Sequence, residues 1–186
     1  MRWFSDRDRY GSLPMALHWV MLVLLAAVYA CMEFKGIFPR GSAGRSAIAT
    51  WHYMLGLSVL ALVVVRLLVA WRGVTPLVVP ALPLWQSRLA AAMKWLLYAF
   101  MLITPLLGWL VLSARGVQVP FFGLQAPALV AMDKTLAGQL KEVHETLATA
   151  GYFLIGAHAA AALAHHYLWR DNTLARMLPA RRGAGA

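Results

Sequence analysis

Apolar residues fill four long segments of the chain, and shorter polar stretches separate them. Each segment is long enough to cross about 30 Å of hydrocarbon as an α-helix. These predicted spans cover residues 15–32, 51–71, 93–113 and 144–169. Pro14 lies just before the first span, where a first-turn proline sacrifices no helical hydrogen bond. The pattern therefore predicts an all-α integral membrane protein, with residues 1–186 forming a single domain, a four-helix transmembrane bundle.

The connections between these spans contain helix-breaking residues. The stretch TPLVVPALP at 75–83 has three prolines and cannot form the interior of a helix. Pro105 lies inside the third span and is expected to kink that helix. The longest connection covers 114–143 and contains two more prolines. After the fourth span, residues 179–186 are predicted to be a disordered tail.

Composition and charge agree with a membrane protein. The chain is 61% hydrophobic, against roughly 45–50% in soluble domains, and only 13% charged. Its net charge of +10 would also suit a nucleic-acid-binding protein. However, the basic residues lie between the apolar spans, and no predicted helix has a basic face, so we expect no nucleic-acid partner. Eleven of the 17 Lys and Arg residues fall on the side that holds both termini, which places both termini in the cytoplasm.

All six histidines lie within the predicted spans or at their ends: His18, His52, His144, His158, His165 and His166. One such histidine could be a packed polar residue, but ionisable groups inside membranes are rare and usually functional. His144 and His158 are 14 residues apart, which is close to four helical turns. They therefore share a helix face about 21 Å apart and cannot bind one metal ion together. Each can instead bind a separate cofactor.

The alternating direction of the helices predicts histidine pairs at two depths. His52 and His144 both lie toward the outer end. His18 lies toward the cytoplasmic end, where either His158 or His165 matches its depth. Two histidines without cysteine are typical of haem iron with both axial positions filled, whereas zinc usually takes four ligands. The spacing predicts two haem sites and leaves the partner of His18 open.

Two other residues share these helix faces. Arg66 follows His52 by 14 residues, so it can pair with a haem propionate or extend to the lipid headgroups. Gly151 lies midway between His144 and His158. Its missing side chain leaves room for a broad, flat group or simply allows close helix packing. The spacing does not choose between these alternatives for either residue.

Several stretches resemble the bacterial cytochrome b561 family, over nearly the whole chain. The resemblance is weakest in the third span and the 114–143 connection. The matching stretches are LHW at 17–19, MEFKGIFPR at 32–40, VVRLL at 64–68, and HETLATAGYFLIGAHAAAALAHHYLWRDNTLARMLP at 144–179. They are most similar to short four-helix dihaem members that pass electrons from superoxide to ubiquinone. The resemblance implies a multi-pass protein of the bacterial inner membrane, surrounded by lipid and without an obligate protein partner.

The resemblance also implies roles for individual residues. Two haem b groups would have His18, His52, His144 and His158 as axial ligands of their iron. His165 matches a position at a cytoplasm-facing quinone site. Trp169, one turn further on, could pack against the quinone ring, although an aromatic residue at the membrane interface explains it equally well. Neither the residues nor the resemblance assigns a function to His166.

Six cations are predicted at the outer side: Lys35, Arg40, Arg45, Arg115, Lys134 and Lys141. Taken alone, they indicate a solvated loop, because four carboxylates on the same side leave a net charge of only +2. The resemblance instead favours a positive funnel, which would attract anionic superoxide. The catalytic residues themselves stay unassigned.

Two other functions fit parts of the sequence. A haem-bearing membrane anchor that relays electrons between a partner dehydrogenase or hydrogenase and quinone would use the same ligands. A small membrane transporter or structural protein would use the histidines only for packing. The visible spectrum distinguishes the transporter or structural protein from the two haem proteins, because only a haem protein is coloured.

Overall fold

The computed structural model describes residues 3–7 and 9–179. This part of the chain contains four long helices: α1 (Ser12–Phe34), α2 (Ala43–Arg72), α3 (Leu84–Ala114) and α4 (Lys134–Tyr167). Each is long and apolar enough to cross a membrane. The predicted all-α class with four membrane helices is confirmed. Apart from Pro179, the predicted disordered tail lies outside the described residues.

All four helices begin before the predicted spans, and in α2 and α4 a side-chain cap begins the additional turns. The Asp133 carboxylate accepts hydrogen bonds from the N–H groups of Thr135 and Leu136, so α4 begins at Lys134 rather than at 144. Ser42 caps α2 in the same way. Hydropathy does not detect such turns. At its other end α4 stops at Tyr167, two residues before the predicted limit.

The connection between α3 and α4 is shorter than expected and is partly ordered as a β-hairpin. Strand β1 (Val119–Phe121) pairs antiparallel with β2 (Leu124–Ala126). The turn between them has positive φ at Phe122 (47°) and Gly123 (85°). The expectation of one long loop over 114–143 was therefore wrong, because α4 begins earlier and the hairpin pairs its own backbone. The hairpin packs against α2 through the side chains of Phe122 and Trp51.

Close helix packing follows chain order, with α1 against α2, α2 against α3 and α3 against α4. Met21, Val59, Val63 and Met101 form the buried core between the first three helices. Among the four helices, α4 has no comparable backbone packing against α1 or α2. Most large apolar side chains face outward, as a lipid environment requires. The side of α4 that faces α1 and α2 is therefore reached mainly by side chains.

Opposite the hairpin, three chain segments form a cap, which we define as residues 3–7 with 9–11, 73–83, and 168–179. The prolines of 75–83 keep the middle segment non-helical, as predicted. Within the cap, the Leu77 N–H donates to the Arg7 carbonyl at 2.9 Å, and Asn172 and Val79 bond to each other twice. The bundle thus has a hairpin end and a cap end, and the cap end holds both termini of the described chain.

Candidate functional site

The structure brings four of the six histidines together as two facing pairs. At the hairpin end, the ring centroids of His52 on α2 and His144 on α4 are 6.3 Å apart. At the cap end, His18 on α1 and His158 on α4 are 6.2 Å apart. His158, rather than His165, faces His18. Each pair bridges the gap between α4 and a helix that it does not pack against closely.

The separation within each pair fits one metal ion between two imidazoles. A metal–imidazole bond of about 2.0 Å plus about 1.2 Å from nitrogen to ring centre predicts centroids about 6.4 Å apart when a shared ion lies between two opposed rings. Both observed separations agree with that value. Within residues 3–7 and 9–179, no three His, Cys, Asp or Glu side chains cluster as metal ligands. Each site therefore provides two imidazoles, the donor set of a six-coordinate haem iron.

Backbone carbonyls orient the histidines of the hairpin-end pair. His52 Nδ1 lies 3.1 Å from the Val28 carbonyl oxygen, and His144 Nδ1 lies 2.9 Å from that of Thr104. A carbonyl only accepts hydrogen bonds, so both Nδ1 atoms carry the proton. Nε2 is then left as the metal-binding nitrogen of each ring. The hydrogen bond at Nδ1 increases the basicity of Nε2.

Two glycines shape the space around α4, for different reasons. A Cβ at Gly108 would lie 3.1 Å from His144 Cε1, so this glycine gives the imidazole room. A Cβ at Gly151 would collide with the Tyr29 hydroxyl and the Phe100 ring. The Tyr29 hydroxyl donates to the Ala148 carbonyl at 2.7 Å and thereby joins α1 to α4 midway between the histidine pairs. This packing favours the close-contact interpretation of Gly151 over a space for a cofactor.

Arg66 lies beside the cap-end pair. Its Nη2 is 3.4 Å from His18 Nδ1, and its guanidinium is 5.8 Å from the centre of the Tyr98 ring. These contacts direct the side chain into the bundle, which favours a site role over extension to the headgroups. Among the described residues, no carboxylate pairs with Arg66.

His165 lies outside both pairs and contacts a carboxylate instead. Its Nδ1 is 2.5 Å from Asp171 Oδ2, and its ring centre is 4.7 Å from that of Trp169. The backbone of Arg170, with φ 53°, helps turn the chain back after α4. Burial alone would raise the pKa of Asp171, but hydrogen bonds from Thr173 and His165 outweigh it and hold that pKa below its usual value. Asp171 thus remains the anionic partner of His165 at neutral pH.

The predicted outer cations all lie at the hairpin end but differ in their contacts. Arg45 Nη1 donates to the carbonyls of Lys35 and Phe38, so it fastens the turn after α1. Lys141 pairs with Glu145 at 2.5 Å. Four other cations make no ion pair with a described residue: Lys35, Arg40, Arg115 and Lys134.

Sequence reasoning missed three parts of this arrangement: Gly108, the carbonyls of Val28 and Thr104, and Asp171. Glycine in an apolar helix and aspartate just after one are visible signals. Their partners are 36 and 6 residues away in the chain, respectively, so only the folded bundle identifies them. The carbonyls have no sequence signal, because every residue carries one.

A four-helix membrane bundle with two facing imidazole pairs defines a membrane protein of the b-type cytochrome class. A family model described as "Prokaryotic cytochrome b561" matches residues 9–180, and the chain belongs to that family. It is 39% identical over 175 residues to "Cytochrome b561 homolog 1" of Escherichia coli (strain K12), which covers 94% of this chain and 99% of that protein. It is 35% identical over 175 residues to "Probable superoxide oxidase CybB" of Yersinia pestis, covering 94% and 98%.

These comparisons confirm the family resemblance found in the sequence. The chain is a bacterial membrane protein of electron transfer, and its family binds haem b. The similarity extends over almost the full length of both relatives, and the residues matched by the family model include all four helices.

Proposed function

We propose that this protein is a dihaem superoxide oxidase, which passes electrons from periplasmic superoxide to ubiquinone. The observation that carries the proposal is the presence of two imidazole pairs toward opposite ends of one bundle. The two ring centres are 6.3 Å apart within one pair and 6.2 Å apart within the other. The similarity to a relative named as a probable superoxide oxidase supports the choice of donor. The net reaction converts two superoxide ions and two protons, with one ubiquinone, into two O₂ and one ubiquinol.

In this proposal His52 and His144 hold one haem b, and His18 and His158 hold the second. A bound haem supplies one-electron exchange. Because each pair would hold its haem through two imidazoles, that haem would exchange electrons with superoxide rather than bind it. Between the two pairs, tight packing joins Tyr29, Phe100 and Gly151. This packing fixes the positions of α1, α3 and α4 relative to one another.

The hairpin end is the proposed donor side. Its four cations without ion partners attract an anion such as superoxide, and salt should weaken that attraction. Arg45 and Lys141 contribute less, because one fastens a turn and the other is paired with Glu145. The hairpin end then faces the periplasm and both termini face the cytoplasm, in agreement with the distribution of Lys and Arg.

The cap end is the proposed acceptor side. His165 donates Nδ1–H to Asp171, so Nε2 is the ring nitrogen left for the quinone, and when it carries a proton it can donate to a quinone carbonyl oxygen. The Asp171 carboxylate stabilises the doubly protonated imidazole, which can then deliver a proton from Nε2. Trp169 lies beside His165 and offers a flat apolar surface to the quinone ring.

Stopped-flow spectroscopy of the purified protein tests this function. Superoxide should reduce the haems on the time scale of stopped-flow mixing, which is seen as a change in their absorption bands. A short-chain ubiquinone should then reoxidise the haems without any added protein. Haems that stay oxidised until a dehydrogenase or hydrogenase is supplied would overturn the proposal in favour of a relay anchor. A colourless protein from a haem-replete host would exclude both redox functions.

A matched pair of variants tests the acceptor side. His165→Ala should slow quinone reduction on the order of 100-fold, as expected for loss of a proton donor, and leave superoxide-driven haem reduction unchanged. His166→Ala removes the neighbouring ring, which contacts the ring of Tyr167. This substitution should leave both quinone reduction and superoxide-driven haem reduction unchanged. Equal effects of the two substitutions would contradict the assignment of His165.

A further inference from the structure

A second arginine at the cap end is buried without a carboxylate partner among the described residues. Arg176 is only 8% exposed, and its Nε is buried and makes no hydrogen bond. Its Nη1 donates to the Pro76 carbonyl, and its guanidinium lies 5.8 Å from the centre of the Tyr10 ring. These contacts leave its positive charge without a counter-ion from residues 3–7 and 9–179.

Tyr10 connects Arg176 with Arg66. Burial raises the pKa of the Tyr10 phenol, while the charges of Arg176 and Arg66 both act to lower it. Both guanidiniums therefore lie within electrostatic range of one phenol. Arg66 in turn contacts His18, a member of the cap-end imidazole pair. Two arginines without a carboxylate partner among the described residues thus act on one phenol, and one of them contacts this pair.

The convergence of these cations indicates an anionic ligand. A buried charge is costly unless it is paired and hydrogen-bonded, and two like charges near each other raise that cost. The free Nε–H of Arg176 is a donor that lacks an acceptor. Haem b carries two carboxylates on one edge, and guanidinium groups bind carboxylates with two parallel hydrogen bonds.

We propose that Arg176 and Arg66 together bind the propionates of the haem held by His18 and His158. This inference rests on the proposed haem site at that pair. The cap positions Arg176 for the role: its N–H donates to the Asn172 carbonyl at 3.0 Å, and Asn172 is bonded to Val79. The segment after α4 thereby becomes part of the haem site, although it contains none of the axial ligands.

Redox titration and resonance Raman spectroscopy of the purified dihaem protein test this assignment. Arg176→Gln should lower the reduction potential of one haem, because a positive charge near a propionate disfavours the ferric state. The propionate bending mode of that haem should shift as well. Arg66→Gln should affect the same haem. Arg176→Lys, which keeps the charge and loses the two-pronged geometry, should largely retain the potential while the bending mode still shifts.

The control is Arg72→Gln, which neutralises an exposed arginine in the last turn of α2 and should leave both signals unchanged. Unchanged potentials and bending modes in Arg176→Gln would overturn the proposal. So would a loss of one bound phospholipid per protein, measured as phosphorus, without change in the haem signals, because the anion would then be a lipid phosphate. The haem content of the unmodified protein tests the proposed function separately: a single haem would contradict that function, whatever the arginine variants show.

Discussion

Hydrogen bonds to single backbone carbonyls distinguish the two histidine pairs. His52 and His144 donate from Nδ1 to Val28 and Thr104, which orients both rings with Nε2 toward the proposed metal. At the cap end, His18 Nδ1 faces Arg66 instead. Carbonyl partners make an imidazole a stronger donor to iron, and a nearby cation favours the reduced state. With the two proposed haems bound, these differences would favour electron flow from the hairpin end to the cap end.

The ligand assignment predicts a change in haem stoichiometry. His144→Ala removes one of two axial imidazoles and should reduce the haem content from two per chain to one. The pyridine haemochrome assay measures this ratio. His166→Ala is the control on the same helix and should retain both haems. A His144→Ala protein with two haems per chain would show that the assignment is wrong.

The lowered pKa of Asp171 predicts a pH-dependent contribution to stability. A carboxyl group whose pKa is lower in the folded state stabilises that state above its unfolded pKa, and this contribution is lost as the pH falls through the folded value. Asp171→Asn should therefore reduce the apparent melting temperature at neutral pH. The difference from the unmodified protein should narrow as the pH falls below the usual aspartate range.

The exposed carboxylate of Glu142 on α4 supplies the control for this measurement. Glu142→Gln should leave the melting temperature close to that of the unmodified protein across the same pH series. A deficit in Asp171→Asn that stays constant down to the acid range would contradict the ionic role of Asp171 and indicate a packing defect instead.

At the scale of elements, α4 carries most of the candidate site. Its 34 residues provide one imidazole to each pair, the Gly151 contact between the pairs, and His165 beside its end. The N-cap residue Asp133 begins α4 early enough to place His144 two to three turns inside the helix. Residues 168–179 then reverse the chain, which brings Asp171 back to His165 and Arg176 to Tyr10.

The tight contact at Gly151 predicts a difference between two glycines on α4. Gly151→Ala places a methyl group against the Tyr29 hydroxyl and the Phe100 ring, so these side chains or the helices that carry them must move. Overpacking of this kind costs about 1–3 kcal/mol. Gly156→Ala, where an added Cβ meets nothing within 4 Å, should be neutral or slightly stabilising. Thermal unfolding in detergent, followed by loss of the haem band, compares the two, and equal melting temperatures would contradict the packing role.

At the scale of the whole molecule, the two proposed half-reactions lie at opposite ends of the bundle. Superoxide would react at the charged hairpin end, and quinone would be reduced at the cap end beside His165. The apolar exterior keeps the four helices in lipid between these ends. In this proposal the membrane would separate the proton uptake of quinone reduction from the release of O₂.

The charge distribution of the hairpin end predicts a salt-dependent rate. Replacing both Arg40 and Arg115 with Gln should slow haem reduction by superoxide on the order of ten-fold at low salt, and should flatten its dependence on ionic strength. Lys141→Gln should have a small effect, because Lys141 is already paired with Glu145. Stopped-flow measurements over a salt series provide the comparison. A steep salt dependence that persists in the double variant would rule out the attraction mechanism.

The sequence alone determined the class of fold and predicted which histidines form the candidate site. Hydropathy predicted four helices because each membrane span must be long, apolar and internally hydrogen-bonded, whatever its neighbours are. Helical periodicity then placed His144 and His158 on one face, and the alternating helix direction matched His144 with His52. It left His158 and His165 as alternatives opposite His18, between which the family resemblance chose His158. The spans and the shared helix face depend only on the spacing of residues along one helix, and that spacing can be read directly from the sequence.

Tertiary structure decided what depends on contacts between distant or reversed segments. Only the folded bundle places His158 rather than His165 opposite His18, and only the cap brings Asp171 to His165 and Arg176 to Tyr10. It also shows that Arg45 fastens a turn and that Gly151 serves close packing. Hydropathy and spacing describe one helix at a time, whereas these roles come from the relative placement of helices and from the turn that follows α4.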